Sequence, residues 1–124
     1  MSQKTVLIVE DNELNLKLFR DLLEAHDIRT LEVRDGTKAV QVTEEHLPDL
    51  ILLDIQLPHI SGFDISRELK RRPKTQHIPI IAVTAFAMHD DEDKILAAGC
   101  EAYMAKPISI VSFIATVRKF LNVV

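Results

Sequence analysis

The sequence predicts an α/β fold, a single five-stranded parallel sheet doubly wound by five helices on both faces. Three observations point there. Short apolar runs alternate with longer amphipathic segments along the chain. The strongest runs, residues 6–9, 50–53 and 80–83, show no polar alternation, as strands covered on both faces require. Each leads into a helical pattern, which parallel strands need because no tight turn can join them.

Residues 6–9 form the first strand. Leu14, Leu18 and Leu22 follow at helical spacing, with Phe19 and Leu23 beside them. Leu16 falls off that stripe and is expected to face outward. Residues 30–33 make a weaker strand, placed at an edge. Residues 36–46 read as a helix with Ala39, Val40, Thr43 and Leu47 on one side. Pro48-Asp49 introduces the strand 50–53. Pro58 and Gly62 mark a loop, and Ile65 and Leu69 mark a helix that ends before Pro73. After the strand 80–83, Asp90, Asp91, Glu92 and Asp93 open a helix, where negative charge suits the N-terminus, and Gly99 is expected to stop it. Residues 102–105 are a short strand. Ser109 is placed to cap a last helix carrying Ile110, Phe113, Ile114, Val117 and Leu121. Right-handed crossovers with the first, third and fourth strands central give the flavodoxin-like order 2-1-3-4-5.

The 124 residues suit one domain, expected over 1–124 without a separate output domain. Lys and Arg total 15 against 19 Asp and Glu, a net charge of −4, which disfavours a nucleic-acid partner. The lone Cys100 rules out an internal disulfide, suits a reducing compartment and is expected to be a small core residue. No apolar run approaches the ~20 residues that span a bilayer, and the first strand leaves no room for a signal segment. A soluble, cytoplasmic protein is the expectation.

In such sheets ligands bind beyond the carboxyl ends of the strands. There the first strand ends in Glu10-Asp11, the third in Asp54, the fourth in Thr84 and the fifth in Lys106-Pro107. Each residue alone would pass as ordinary loop chemistry. Together, three carboxylates on one edge repel at roughly 4 kcal/mol per pair at 4 Å and an effective dielectric of ~20. An all-oxygen set favours a hard cation, and Mg²⁺ typically binds one or two carboxylates plus a phosphate. Thr84 and Lys106 stand where the other phosphoryl oxygens need donors.

Glu10-Asp11, Asp54 with Pro58 and Gly62, Thr84-Ala85 and Lys106-Pro107 resemble the full signature of response-regulator receiver domains, the CheY-like superfamily, over essentially the whole chain. The segments 9–15, 54–58 and 84–88 further resemble single-domain receivers of cell-division control. The resemblance implies that Asp54 accepts a phosphoryl group from a kinase phosphohistidine. Asp11 and Asp54 would hold Mg²⁺, with Glu10 direct or through water and the Gln56 carbonyl as a further ligand. Lys106 would pair with phosphoryl oxygens. Thr84 and Tyr103 would be the switch pair, and Lys106-Pro107 a cis bond. Partners implied are sensor histidine kinases, their phosphatase activities and kinase-like receptors. Recruitment to a cell pole could follow from such partners. A monomer is expected, with a dimer as the alternative.

Asn15, Leu16 and Met88 would contribute to the partner surface, with Tyr103 and Val111 beside them. Ordinary packing is the competing reading for Met88 and Val111, and an ordinary exposed leucine is the competing reading for Leu16. Glu10 departs from the Asp common in the family, and Phe86 and Gln56 flank the site. The five histidines show no ligand spacing, and Arg67, Lys70, Arg71 and Arg72 read as a solvated helix end.

Three other functions compete with this reading. A flavin carrier would need a phosphate loop where Glu10-Asp11-Asn12-Glu13 stands. An Asp-nucleophile phosphatase would need a second acid at position 56. A phosphorylation-independent allosteric module would have little use for Asp54, Thr84 and Lys106. Within the receiver reading, cell-cycle or polarity control is implied, with a motility or chemotaxis role, or a mainly phosphorylation-independent allosteric interaction module, as the alternative.

Overall fold

The computed structural model describes residues 3–85 and 89–122, the side chains of 89–91 apart. The elements run β1 (Thr5–Val9), α1 (Glu13–Ala25), β2 (Arg29–Val33), a 3₁₀ turn (Gly36–Lys38), α2 (Ala39–His46), β3 (Leu50–Asp54), α3 (Gly62–Arg71), β4 (Ile80–Thr84), α4 (His89–Ala97), β5 (Ala102–Ala105) and α5 (Ile110–Leu121). All pairings are parallel and the order is β2-β1-β3-β4-β5, as expected from the sequence.

The period of two along each strand divides the core. Val6, Ile8, Leu50, Leu52, Ile81 and Val83 face one layer, shared with Phe19 of α1 and Phe113 of α5. Leu7, Val9, Ile51, Leu53, Ile80 and Ala82 face the other, shared with Ile65 of α3 and Ile95 of α4. The Phe19 and Phe113 rings stack with centroids 5.3 Å apart, locking α1 to α5. Cys100 is buried, as expected.

Helix α1 corrects one expectation. Leu16 is buried at 1% exposure with Phe19 and Leu23, whereas Leu14 is 78% exposed and Leu18 also lies in solvent. Leu14 and Leu18 each lie two residues from Leu16, roughly 200° around a helix of ~3.6 residues per turn. Once the bulky Phe19 stacks on Phe113, the helix is turned so that Leu16 follows it inward. Leu47 departs for a different reason. It sits past the end of α2 in a left-handed conformation (φ 47°) and is exposed. On α5, Ile110 is exposed and Val111 is 81% exposed, so ordinary packing does not account for Val111. Both precede the inward stripe of Phe113, Ile114 and Val117.

The basic run on α3 also splits. Arg72 pairs with Glu68 and Glu44 near the surface. Lys70 is folded inward instead. It donates to the Ile78 carbonyl at 2.8 Å and to Glu101 Oε2 at 2.8 Å, and Glu101 Oε1 accepts from the Ile80 N–H at 2.8 Å. With Ser66 Oγ donating to the Ala98 carbonyl at 2.7 Å, these bonds tie α3 to both ends of the α4–β5 connection and to the start of β4. No helix among the described residues is long and apolar enough to cross a membrane.

Candidate functional site

Parallel pairing brings the carboxyl ends of β1, β3, β4 and β5 to one edge, and the residues that follow them converge there. Carboxylate oxygens of Glu10, Asp11 and Asp54 lie within 4.8 Å of one another. Glu10 and Asp54 are 1% and 4% exposed, while Asp11 faces solvent. Lys106 reaches across, its Nζ 3.1 Å from Glu10 Oε1 and 3.4 Å from Asp54 Oδ2. The Lys106 N–H donates to the Thr84 carbonyl at 2.8 Å, which joins the ends of β4 and β5. Thr84 is buried.

Two backbone amides hold the acids from below. Gln56 N–H donates to Asp54 Oδ1 at 2.9 Å, and Asn12 N–H donates to Glu10 Oε2 at 3.2 Å. Sequence reasoning missed the Asn12 contact, because a backbone donor leaves no mark on residue type. Asn12 also caps α1, its side chain accepting from the Asn15 N–H at 3.0 Å.

Burial, then contact with Asp54, pushes the Glu10 carboxyl up to about 7, against smaller opposing contributions from Lys106 and the Asn12 amide. Burial alone would lower the Lys106 ammonium. Its contacts with Glu10 and Asp54 outweigh that and hold it above its ordinary range.

The donors fit a small hard cation. Three oxygen ligands from three side chains converge, and Glu10 Oε1 is a buried oxygen with no directed hydrogen bond among the described residues. The Lys106 contact to that oxygen is an ion pair without hydrogen-bond alignment.

The other expected residues are distributed around this centre. The Lys106-Pro107 bond is cis. Gln56 is exposed at the rim. Tyr103 is partly buried in the α3–α4 layer, and the Glu92 carboxylate beside it raises its phenol above the ordinary range. Asn15 is half-buried on α1, and Leu16, as described, belongs to the core and not to a surface. Met88 and Phe86 lie outside the described residues.

Comparison with known proteins agrees with this arrangement. The response regulator receiver domain model matches residues 6–118. The chain is 55% identical over 119 residues to the polar-differentiation response regulator DivK of Brucella anthropi, covering 96% of this chain and 97% of that one. Among solved structures, the receiver domain of a sensor histidine kinase from Pseudomonas aeruginosa has a TM-score of 0.90 and 31% identity. That match covers 98% of this chain and 99% of the other, whose crystal structure has magnesium coordinated in its active-site cleft. The chemotaxis protein CheY4 of Vibrio cholerae, with a TM-score of 0.91, 19% identity and coverage of 97% and 100%, shares the fold. A matched model across most of the chain, close relatives and the five-stranded order together place this protein in the response regulator receiver domain family.

Proposed function

We propose that this receiver takes a phosphoryl group from a histidine kinase onto Asp54 and passes the signal on through contacts of its own surface. The observation that carries the reading is the joint geometry of Asp54, Glu10, Asp11 and Lys106 at one sheet edge. Asp54 Oδ1 is engaged by the Gln56 amide, so Oδ2 is the oxygen presented for attack. Its O–P bond forms as the N–P bond of the kinase phosphohistidine breaks, and the imidazole keeps that electron pair and takes up a proton from solvent. Lys106 holds positive charge beside Oδ2, where negative charge accumulates on the phosphoryl oxygens. Thr84, at the neighbouring strand end, supplies a hydroxyl for one of them.

Asp11, Asp54, the Gln56 carbonyl and Glu10, directly or through water, would hold Mg²⁺. The ion supplies countercharge to carboxylates and phosphoryl oxygens when bound. Loading of Asp54 then draws on Thr84, and Tyr103 responds on β5.

The partner surface on α1 is built from Leu14 and Leu18, with Asn15 beside them, in place of the buried Leu16. Exposed Ile110 and Val111 on α5 extend it. Sensor kinases, their phosphatase activities and kinase-like receptors are the partners this reading implies. A role in polar differentiation or cell-cycle control is supported by the 55% identity to DivK of Brucella anthropi, and cytoplasmic action with recruitment to a pole accompanies that role.

The test is phosphotransfer from a phosphorylated histidine kinase in Mg²⁺. The parent protein is expected to take up label, while Asp54→Asn and the parent in EDTA take up none. Equal labelling of Asp54→Asn would defeat the assignment.

A further inference from the structure

Gly36 lies on the β2–α2 connection, outside the acidic cluster, yet it meets the segment that follows Asp54. It is buried at the first position of the 3₁₀ turn. A Cβ there would stand 2.8 Å from Ile60 Cγ2, 2.9 Å from Leu57 Cδ1 and 3.2 Å from Ile65 Cδ1. Leu57 and Ile60 belong to residues 55–61, the loop from β3 to α3, and both pack on the α3–α4 core layer.

The turn itself is well tied. Asp35 Oδ1 accepts from the Thr37 N–H at 3.0 Å and from Thr37 Oγ1 at 2.6 Å, and the Asp35 carbonyl accepts from the Lys38 N–H at 3.0 Å. A side chain at 36 would press on loop and helix side chains, while the turn keeps its own hydrogen bonds. Leu57 and Ile65 offer terminal methyls that can swing. Ile60 Cγ2 sits at a β-branch, whose χ1 is stiff, so relief there by side-chain rotation costs more and presses on the loop backbone. That backbone leads straight to Gln56, whose N–H holds Asp54 Oδ1.

We infer that Gly36 is a positioning residue, the flat seat on which Leu57 and Ile60 rest so that Gln56 stands correctly beside Asp54. The inference rests on the proposed metal site, since it explains how that site's loop is held.

The test compares parent, Gly36→Ala, Ile60→Ala and the double variant. Two readouts are taken: hydrogen exchange of the Gln56 amide in metal-free protein, and Mg²⁺ affinity by calorimetry. Gly36→Ala is expected to speed Gln56 exchange and weaken Mg²⁺ about tenfold, the low end for residues that orient metal ligands. Adding Ile60→Ala is expected to bring both readouts back to those of Ile60→Ala alone, the coupling that a shared contact produces. Unchanged readouts in Gly36→Ala, or a double variant whose readouts differ from those of Ile60→Ala alone, would overturn the inference. Should Gly36→Ala fail to fold, Ile60→Ala alone decides: faster Gln56 exchange supports the seat, and parent-like exchange overturns it. A parent that binds no Mg²⁺ refutes the metal reading instead, and Gln56 exchange still decides the role of Gly36.

Discussion

Glu10 has a proton affinity well away from that of a free carboxylate. Burial first, and then Asp54, raises it from an ordinary 4.5 to about 7. Without metal, the folded protein holds a proton that the unfolded chain releases. The stabilisation this gives is fully present below about pH 4.5 and is lost as pH rises through about 7. A shift of that size is worth at most about 3 kcal/mol. In EDTA, the urea midpoint of Glu10→Gln is therefore expected to gain on the parent as pH rises through that window. The same proton competes with metal. Mg²⁺ affinity is expected to tighten about tenfold from pH 6 to pH 8, and titrations of Glu10→Gln are expected to be nearly flat. At this scale the sequence is informative because strand ends in a parallel sheet share one edge. It does not say which of two adjacent acids is buried. Glu10 turns inward and Asp11 outward because successive residues at a strand end point to opposite sides.

Helix α1 shows where element-scale reading fails. Two leucine sets at helical spacing compete in its sequence, and the winner is decided by Phe113, nearly a hundred positions away in the chain. No local pattern contains that information. Leu16→Ala is expected to cost about 2–5 kcal/mol in urea unfolding, as for a buried leucine. Leu14→Ala is expected to stay within about 0.5 kcal/mol of the parent and yet slow phosphotransfer from a kinase, with labelling by a small acyl phosphate unchanged. Asn12→Ala removes the α1 cap and is expected to cost about 1 kcal/mol. An end with its own local chemistry, such as the Ser109 cap of α5, was easier to place, whereas residues 36–38, expected to open a helix, form a 3₁₀ turn capped by Asp35.

Across the whole molecule, the two ends of the sheet differ in character. At the amino ends of β4 and β5, Lys70 and Glu101 neutralise each other, Glu101 accepts from the Ile80 N–H, and Ser66 donates to the Ala98 carbonyl nearby. The opposite end concentrates three carboxylates around one ammonium. Charge delivered there acts on an element pair, β4 and β5, already linked at Thr84 and Lys106. Converting a 1:99 equilibrium to 99:1 takes ~5.5 kcal/mol, which two or three charge-assisted hydrogen bonds at about 1.5–3 kcal/mol each can supply. Fold order and site were legible together because one topology creates both, whereas the loop seat at Gly36 was not, since it depends on contacts between distant connections.

Reduction of the phosphorylated protein with borohydride, followed by peptide sequencing, bears most directly on the site of transfer, because an acyl phosphate becomes an alcohol at the residue that carried it. Homoserine at position 54 is the expected product, formed only when Mg²⁺ was present during phosphorylation. Reduction product at Glu10 or Asp11, or an intact Asp54 in protein shown to hold phosphate, would contradict it.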